Sequence, residues 1–318
     1  MVYRHPALTL PAVVALGGGH GLSASLKALR KLTNRLTAIV TVADDGGSSG
    51  RLRKEFDILP PGDLRMALAA LCSDDEIEQT WAEVLQSRFS GDGELGGHAI
   101  GNLLIAGIWQ TVPDKVEGLE MVAQLLHIQG HVLPMSLEPL VIEAEVRGAN
   151  PNRPDEVSTV VGQEAVALAE GEILSIRLTP ENPPAAPEAL RAVRQADFVT
   201  LGPGSWYSSV MPHLLVPELA DAIVRTKARR ILILNLSQSA DETQGYTASQ
   251  HVEALLDHEP RLRFHDVLVD PTFMDARLEG VCKAMKAKLT VADVRARDGS
   301  AQHDKNKLSA VLASVMGL

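Results

Sequence analysis

Between Thr41 and Arg51 the chain reads Thr-Val-Ala-Asp-Asp-Gly-Gly-Ser-Ser-Gly-Arg, an apolar run that ends in two carboxylates, three glycines, two hydroxyls and a guanidinium. Adjacent carboxylates such as Asp44 and Asp45 repel one another when buried and call for a metal, a cation or sugar hydroxyls. Glycines beside Ser48 and Ser49 let backbone N–H groups approach anionic oxygens. A solvated Asx turn is the structural alternative. Asp44 stands where doubly wound nucleotide folds place an acid on ribose hydroxyls, and Asp45 beside it is the candidate Mg2+ ligand, because hard cations take carboxylate oxygens. Arg51 is either a phosphate contact or a solvated cation.

Five further clusters could share that ligand. Gly17-Gly18-Gly19-His20-Gly21-Leu22-Ser23 follows an apolar run and opens a helical pattern. Leu22 breaks the G-x-G-x-x-G dinucleotide fingerprint and the Walker ending is missing, which counts against an NAD-dependent oxidoreductase. Glycines that turn tightly onto a helix N-terminus still offer free N–H groups to a phosphate, and His20 either donates to that phosphate or caps the turn. Asp63 is placed to cap the helix after Pro60-Pro61-Gly62. Arg65 in its first turn opposes the helix dipole and needs an anion, either Asp63, Asp45 or a ligand phosphate. His98 and Asn102 share one helical face, as a polar pair or as a satisfied core histidine on a tight helix. Gly202-Pro203-Gly204-Ser205 with Tyr207 resembles a second half-site after a strand. Trp206 and Tyr207 either stack on a base or anchor packing. Asn235, Glu242, Thr243 and Tyr246 make a fourth loop.

The elements that must carry these loops alternate. Ala12–Leu16 reads as a strand, Leu22, Leu26 and Leu29 recur at helical spacing, and the β-branched run 37–42 is a second strand, which together make a parallel βαβ unit. A helical pattern spans 63–89, with further helices over 99–109 and 122–126. Strand-like segments at 140–146 and 173–178 flank a polar loop at 148–155. Strands at 198–201, 231–234 and 267–269 then alternate with helices at 216–225 and 247–256. The pattern predicts one α/β domain over 1–318, a Rossmann-like, mainly parallel sheet with helices on both faces and ligand loops at the strand carboxyl ends. A helical segment at about 62–130 is expected to cover the crevice.

The chain has 318 residues and a formal net charge of −10, which disfavours a nucleic-acid groove. Its two cysteines, Cys72 and Cys282, form no CxxC pattern and fit a reducing cytosol. No signal peptide or bilayer-length apolar stretch is visible, so the expectation is a cytoplasmic protein without membrane insertion.

In this order, the blocks GGGHGLSASL, VTVADDGGSSGRLR, PPGDLR, GHAIGNLL, ADFVTLGPGSWYSS with PHLLV, and DETQGYTASQHV resemble the CofD-like superfamily. They are most similar to its gluconeogenesis factor branch, the YvcK family. The resemblance implies nucleotide binding at the loops above, with UDP-sugars, notably UDP-N-acetylglucosamine, as the ligand class. It further implies a regulatory role in gluconeogenic growth, cell shape and envelope synthesis, a homo-oligomer, and a protein partner in envelope synthesis. No cofactor is required on this reading, and Mg2+ is the one candidate metal. The phospholactate transferase branch implies the alternative, a Mg2+-dependent transfer from a nucleotide-diphosphate-activated donor. Four positions depart from the common pattern: His20 for threonine, Met66 for asparagine, Trp206 for leucine and Gln302 for arginine. The last removes a ligand or subunit contact expected near the C-terminus.

Overall fold

The run Val13–Gly17 forms a strand, β1, buried at all five positions, as a parallel strand covered on both faces requires. It is an inner strand of the main sheet in a computed structural model that describes residues 10–150, 152–237, 242–243, 245–298 and 300–318. Helix α1 (Gly19–Leu29) buries Leu22, Leu26 and Leu29 and returns the chain to β2 (Leu36–Val40), parallel to β1. Helices α2 (Gly47–Phe56), α3 (Pro61–Leu71), α4 (Glu76–Gln86), α5 (Ile100–Thr111) and α6 (Lys115–Leu125) follow, before β3 (His131–Pro134) pairs with β2.

Next come β4 (Val141–Arg147), β5 (Val157–Val161), α7 (Gln163–Ala167) and β6 (Glu172–Thr179), whose strands make a separate antiparallel sheet in the order β5-β4-β6. Helix α8 (Pro187–Gln195) leads back to the main sheet. There β7 (Phe198–Leu201), a π-helical turn (Trp206–Val210), α9 (Pro212–Leu215), α10 (Pro217–Arg225), β8 (Arg229–Ile233), α11 (Ala248–His258), β9 (Asp266–Val269), α12 (Leu278–Met285), β10 (Lys288–Val291) and α13 (Lys305–Met316) complete the chain.

The main sheet is parallel throughout, in the order β10-β9-β8-β7-β1-β2-β3. From β1 the chain steps outward one way to β2 and β3, and later from β7 the other way to β10. The reversal between β1 and β7 is the switch point at which such sheets open a crevice beyond their carboxyl ends. The loops after β1 and β7, each rich in glycine, lie there.

Two local patterns resolve differently from the periodicity, and the polar stretch 148–155 is a loop as expected. The run 63–89 is two helices, because the chain leaves helical geometry at Cys72 (ψ 141°) and the Glu78 carboxylate accepts from the Ser73 amide. Leu85 is buried, whereas Ile77 and Trp81 are on the surface. The Asp-Asp-Gly-Gly-Ser-Ser run is a short turn that becomes helix α2 at Gly47, whose φ of +45° favours glycine. The polar stretch 148–155 closes the β4–β5 hairpin, with Gly148 donating to the Glu156 carbonyl; residue 151 lies outside the described residues.

Of the segment 62–130, Asp63 and Met66 of α3 reach the crevice, and α3 itself packs on α1 and β2. No helix among the described residues is long and apolar enough to cross a membrane.

Candidate functional site

The crevice is a cavity of about 730 Å3, within the range of small-molecule sites. Its first wall is the turn from β1 into α1. Gly18 caps the helix with extended backbone and no side-chain hydrogen bond, no acidic residue sits in the first turn, and Leu22 is the first amide to bond back, to the Gly18 carbonyl at 3.2 Å. The amides of His20 and Gly21 thus lack intrahelical acceptors, an arrangement that suits an anion.

The second wall is Pro203-Gly204-Ser205 after β7. Asn235, just past β8, clamps it from both sides: its Oδ1 accepts from the Gly204 amide and its Nδ2 donates to the Gly204 carbonyl, each at 2.9 Å. Ser25 Oγ adds a bond to the Gly202 carbonyl at 3.2 Å. The two walls touch, since a Cβ on Gly21 would stand 2.2 Å from the Pro203 carbonyl oxygen.

Asp44 and Asp63 form the floor. A Cβ on Gly18 would come within 2.4 Å of Asp63 Oδ2, and one on Gly62 within 2.8 Å of Asp44 Oδ2, so glycine at both positions is what admits the carboxylates. Burial pushes the Asp63 carboxyl up to about 7, the Asp44 charge pushes it further the same way, and the Gly19 amide that donates to it works in opposition. Asp44 is also raised, by burial first, against bonds from Gly46 and Ser49. Neither acid has a Lys or Arg within ion-pair distance among the described residues. Among the described residues no group of three or more His, Cys, Asp or Glu side chains gathers for a metal there either.

Lys27, Gln163, Gln302, His303 and Lys305 complete the lining. His303 is held well below the usual imidazole range, about 4, by burial, and its Nε2 is buried without a partner. Gln302, His303 and Lys305 reach the site because α13 packs on α1.

The profile of the CofD family, described as 2-phospho-L-lactate transferase CofD, matches residues 13–314. A Mycobacterium tuberculosis protein that carries the gluconeogenesis factor name provisionally is 47% identical over 308 residues, 95% of this chain and 90% of its own. The chain belongs to this gluconeogenesis factor family. The Bacillus subtilis member named gluconeogenesis factor is 38% identical over 248 residues, covering 78% of this chain and 75% of its own. A crystal structure of a Bacillus halodurans protein of the UPF0052 family superimposes with a TM-score of 0.86 at 35% identity, over 96% of this chain and 99% of that one.

Within this family fold, the crevice gathers Gly18, Gly19, His20, Gly21, Ser23, Asp44, Asp63, Pro203, Gly204, Ser205 and Asn235. It does not gather the other candidates. Leu22 is core, because its position on α1 faces the sheet. Asp45 turns away: its Oδ1 accepts from the Glu164 amide at 3.1 Å, and it borders a separate surface cleft with Arg51, Lys54 and Arg88. Arg51 binds the Gly96 carbonyl at 2.8 Å.

Arg65 has no carboxylate within ion-pair distance among the described residues. Its Nε donates to Asn102 Oδ1 at 2.9 Å and its Nη1 to Gln86. Asn102 Nδ2 donates to Ser48 Oγ at 2.9 Å, and Ser48 meets His98 Nδ1 at 3.0 Å. This chain ties α2, α3 and α5 together, which makes His98 a satisfied buried histidine. Ser49 backs Asp44 from behind.

Trp206 is fully buried, its Nε1 donating to the His251 carbonyl at 2.9 Å. Glu242 accepts from the Tyr207 amide at 2.9 Å, and with Thr243 it is buried beside the π-helical turn. Tyr246 directs its hydroxyl to that of Tyr207, 3.0 Å away and in a different groove. Of the loop 237–246, residues 238–241 and 244 lie outside the described residues.

Sequence reasoning singled out Met66 and Gln302 only as departures from a family pattern and missed Lys27, Gln163 and Lys305, which carry no motif. A test follows from the two displaced candidates. Asp45→Asn and Tyr246→Ala should each leave affinity for a crevice ligand within about twofold, since neither side chain touches the cavity; titration calorimetry with UDP-N-acetylglucosamine checks this.

Proposed function

We propose that the crevice binds a nucleoside diphosphate sugar, UDP-N-acetylglucosamine above all, and that the protein acts as a ligand-responsive regulator linked to gluconeogenic growth and envelope synthesis. The observation that carries this reading is the meeting of two glycine turns at the switch point, with the open amides of α1 aimed into a cavity of about 730 Å3. The diphosphate would lie on the His20 and Gly21 amides. Asp44 would take ribose hydroxyls, and Lys27 or Lys305 would neutralise the remaining charge. The uridine and the amino sugar rest on the family resemblance.

Mg2+ fits the same floor. Asp44 and Asp63 are buried carboxylates without a cation partner among the described residues, and they would hold the ion while ligand phosphate and water complete its oxygen shell. Bound there, the ion would screen the two acids from the diphosphate. Asp63 would then be held ionised by the Gly19 amide. A transferase acting on a nucleotide-diphosphate-activated donor is the second reading, favoured by this same acid pair, whose raised pKa suits proton transfer near neutral pH.

A thermal-shift panel of UDP-N-acetylglucosamine, UDP-glucose, GDP and NAD, each with and without Mg2+, tests the assignment. At a hundredfold over its dissociation constant the true ligand adds about 2.7 kcal/mol, a shift of several degrees. UDP-N-acetylglucosamine should give the largest. A larger shift with GDP and Mg2+ would favour the transferase, and no shift with any nucleotide would sink both.

A further inference from the structure

Away from the crevice, a groove of about 560 Å3 runs between strand β6 and helix α11. β6 is an outer strand of the small antiparallel sheet and pairs on one side with β4. Five consecutive residues, 172 to 176, line the groove. The pairing with β4 slips within this run, Ser175 standing opposite Glu145 and Ile173 opposite Val146, so a bulge at Leu174 breaks the alternation and turns consecutive residues toward the groove. No hydrogen bond from a neighbouring segment reaches the outer edge of β6 among the described residues. A row of main-chain donors and acceptors therefore fronts the groove.

The facing wall is α11, through Gln250, Glu253, Ala254 and Asp257. Tyr207, Met211 and Tyr246 make an apolar base with the two tyrosine hydroxyls 3.0 Å apart and their rings edge to face. Three carboxylates rim it, Glu172, Glu253 and Asp257, against one histidine, His258. Glu172 pairs with Arg147 at 2.6 Å and Glu253 with Arg277 at 2.7 Å, whereas exposed Asp257 has no cation within ion-pair distance among the described residues. An open strand edge beside a helix, with a tyrosine floor and an acidic rim, suits a chain that supplies main-chain bonds, apolar side chains inward and cations outward.

We propose that this groove receives an extended, basic segment of a partner protein, which joins the small sheet as a fourth strand alongside β6 and lies against α11. Its alternate apolar side chains pack on Tyr207, Met211 and Ala254, and its basic ones face Asp257. The site is independent of the crevice, so it stands whether or not a nucleotide sugar is the ligand.

The probe is a fluorescein-labelled octapeptide of alternating valine and lysine, read by anisotropy on the full-length protein. A valine and glutamate octapeptide is the charge control. Two further valine and lysine peptides carry N-methyl groups on one or the other alternate set of amides. The parent peptide should bind about tenfold or more tighter than the acidic one. One of the two methylated peptides should lose about tenfold, the loss of one or two net ladder bonds. Asp257→Lys, at an exposed position that folding does not depend on, should weaken the parent peptide by a similar factor. Amide hydrogen exchange at 172–176 should slow in the complex.

Absence of binding by the basic peptide overturns the proposal. So does equal binding of both methylated peptides, which would mean charge attraction without strand addition, or protection confined to other strands. A second copy of the chain as occupant would appear as concentration-dependent dimerisation that Asp257→Lys abolishes, and that result also overturns it.

Discussion

Gly21→Ala is expected to lower the melting temperature by several degrees and to remove nearly all of the thermal shift given by UDP-N-acetylglucosamine. The added Cβ would stand 2.2 Å from the Pro203 carbonyl oxygen, 2.5 Å from its carbon and 2.6 Å from the Gly204 Cα. All three are backbone atoms, so no side chain can swing aside. The loops after β1 and β7 must separate, and the Asn235 clamp on Gly204 resists that movement. Overpacking of this kind costs about 1–3 kcal/mol, and the amides proposed to hold the diphosphate move with the loop. Gly107→Ala is the control: its Cβ meets nothing within 4 Å in the middle of α5, so the same replacement should stabilise the protein by about 0.5–1 kcal/mol. Calorimetric melting of both variants, with and without ligand, separates the two. A Gly21→Ala protein that melts and binds like its parent would show that the two loops do not depend on this contact.

The inner strands of the parallel sheet were legible because they are buried on both faces, whereas the edge strands β3 and β10, partly exposed, were not. Val13–Gly17 and the run 37–42 are short apolar segments that lead at once, or after one alanine, into glycine or acid, a pattern that names both the strand and the loop beyond it. The antiparallel sheet was half legible. Its β4 alternates, with Ile142, Ala144 and Val146 buried, but β5 is an exposed edge whose Val157 and Val161 carry no inward face to betray them. The split between α3 and α4 escaped periodicity because Leu71 and Leu85 stay in phase with one helix while Ser73 and Asp75 build a turn of their own.

The crevice was readable where main chain lines it, since glycine turns announce themselves. Side-chain roles were less so. Asp44 and Asp45 are neighbours, and consecutive side chains leave an extended chain in opposite directions, so one reaches the floor and the other bonds the Glu164 amide. Arg65 was assigned an anion on dipole grounds, yet three neutral acceptors on Asn102, Gln86 and Leu85 hold it instead. Tyr246 belongs to a polar loop after a strand end, but its partner Tyr207 comes from the π-helical turn, whose extra residue per turn carries Ser205 into the crevice and Tyr207 out of it. Lys305 enters from a helix far along the chain, and only the packing of α13 on α1 puts it there.

Asp63→Asn should stabilise the ligand-free protein at pH 8 and abolish whatever part of ligand binding depends on Mg2+. Burial lifts the folded-state value of this carboxyl from 3.8 to about 7, and the Asp44 charge adds to the lift. Between those limits the folded chain keeps a proton that the unfolded chain has released. The unfolded state then binds fewer protons, so the stability contributed by this group falls as pH rises through the window and levels off above about 7. Above that point the protein carries a buried charge whose partners are the Gly19 amide and a distant Arg65 that is already bonded elsewhere. An amide fills the same volume, accepts the Gly19 bond and brings no charge. Asp44 and Glu242 are also raised by burial, so the parent and the variant share part of the slope. Their difference, followed by urea unfolding from pH 4 to 8, isolates Asp63 and should grow in favour of the variant up to about pH 7 and then stay constant. Bound Mg2+ reverses the balance for the parent alone, because only the carboxylate can offer the cation a full charge. The Mg2+-dependent component of the UDP-N-acetylglucosamine shift should therefore vanish in the variant while its ligand-free melting temperature rises. A variant that melts lower at pH 8 and retains the parent's pH slope would mean that the Gly19 amide alone keeps Asp63 ionised in the folded protein, with no cation needed.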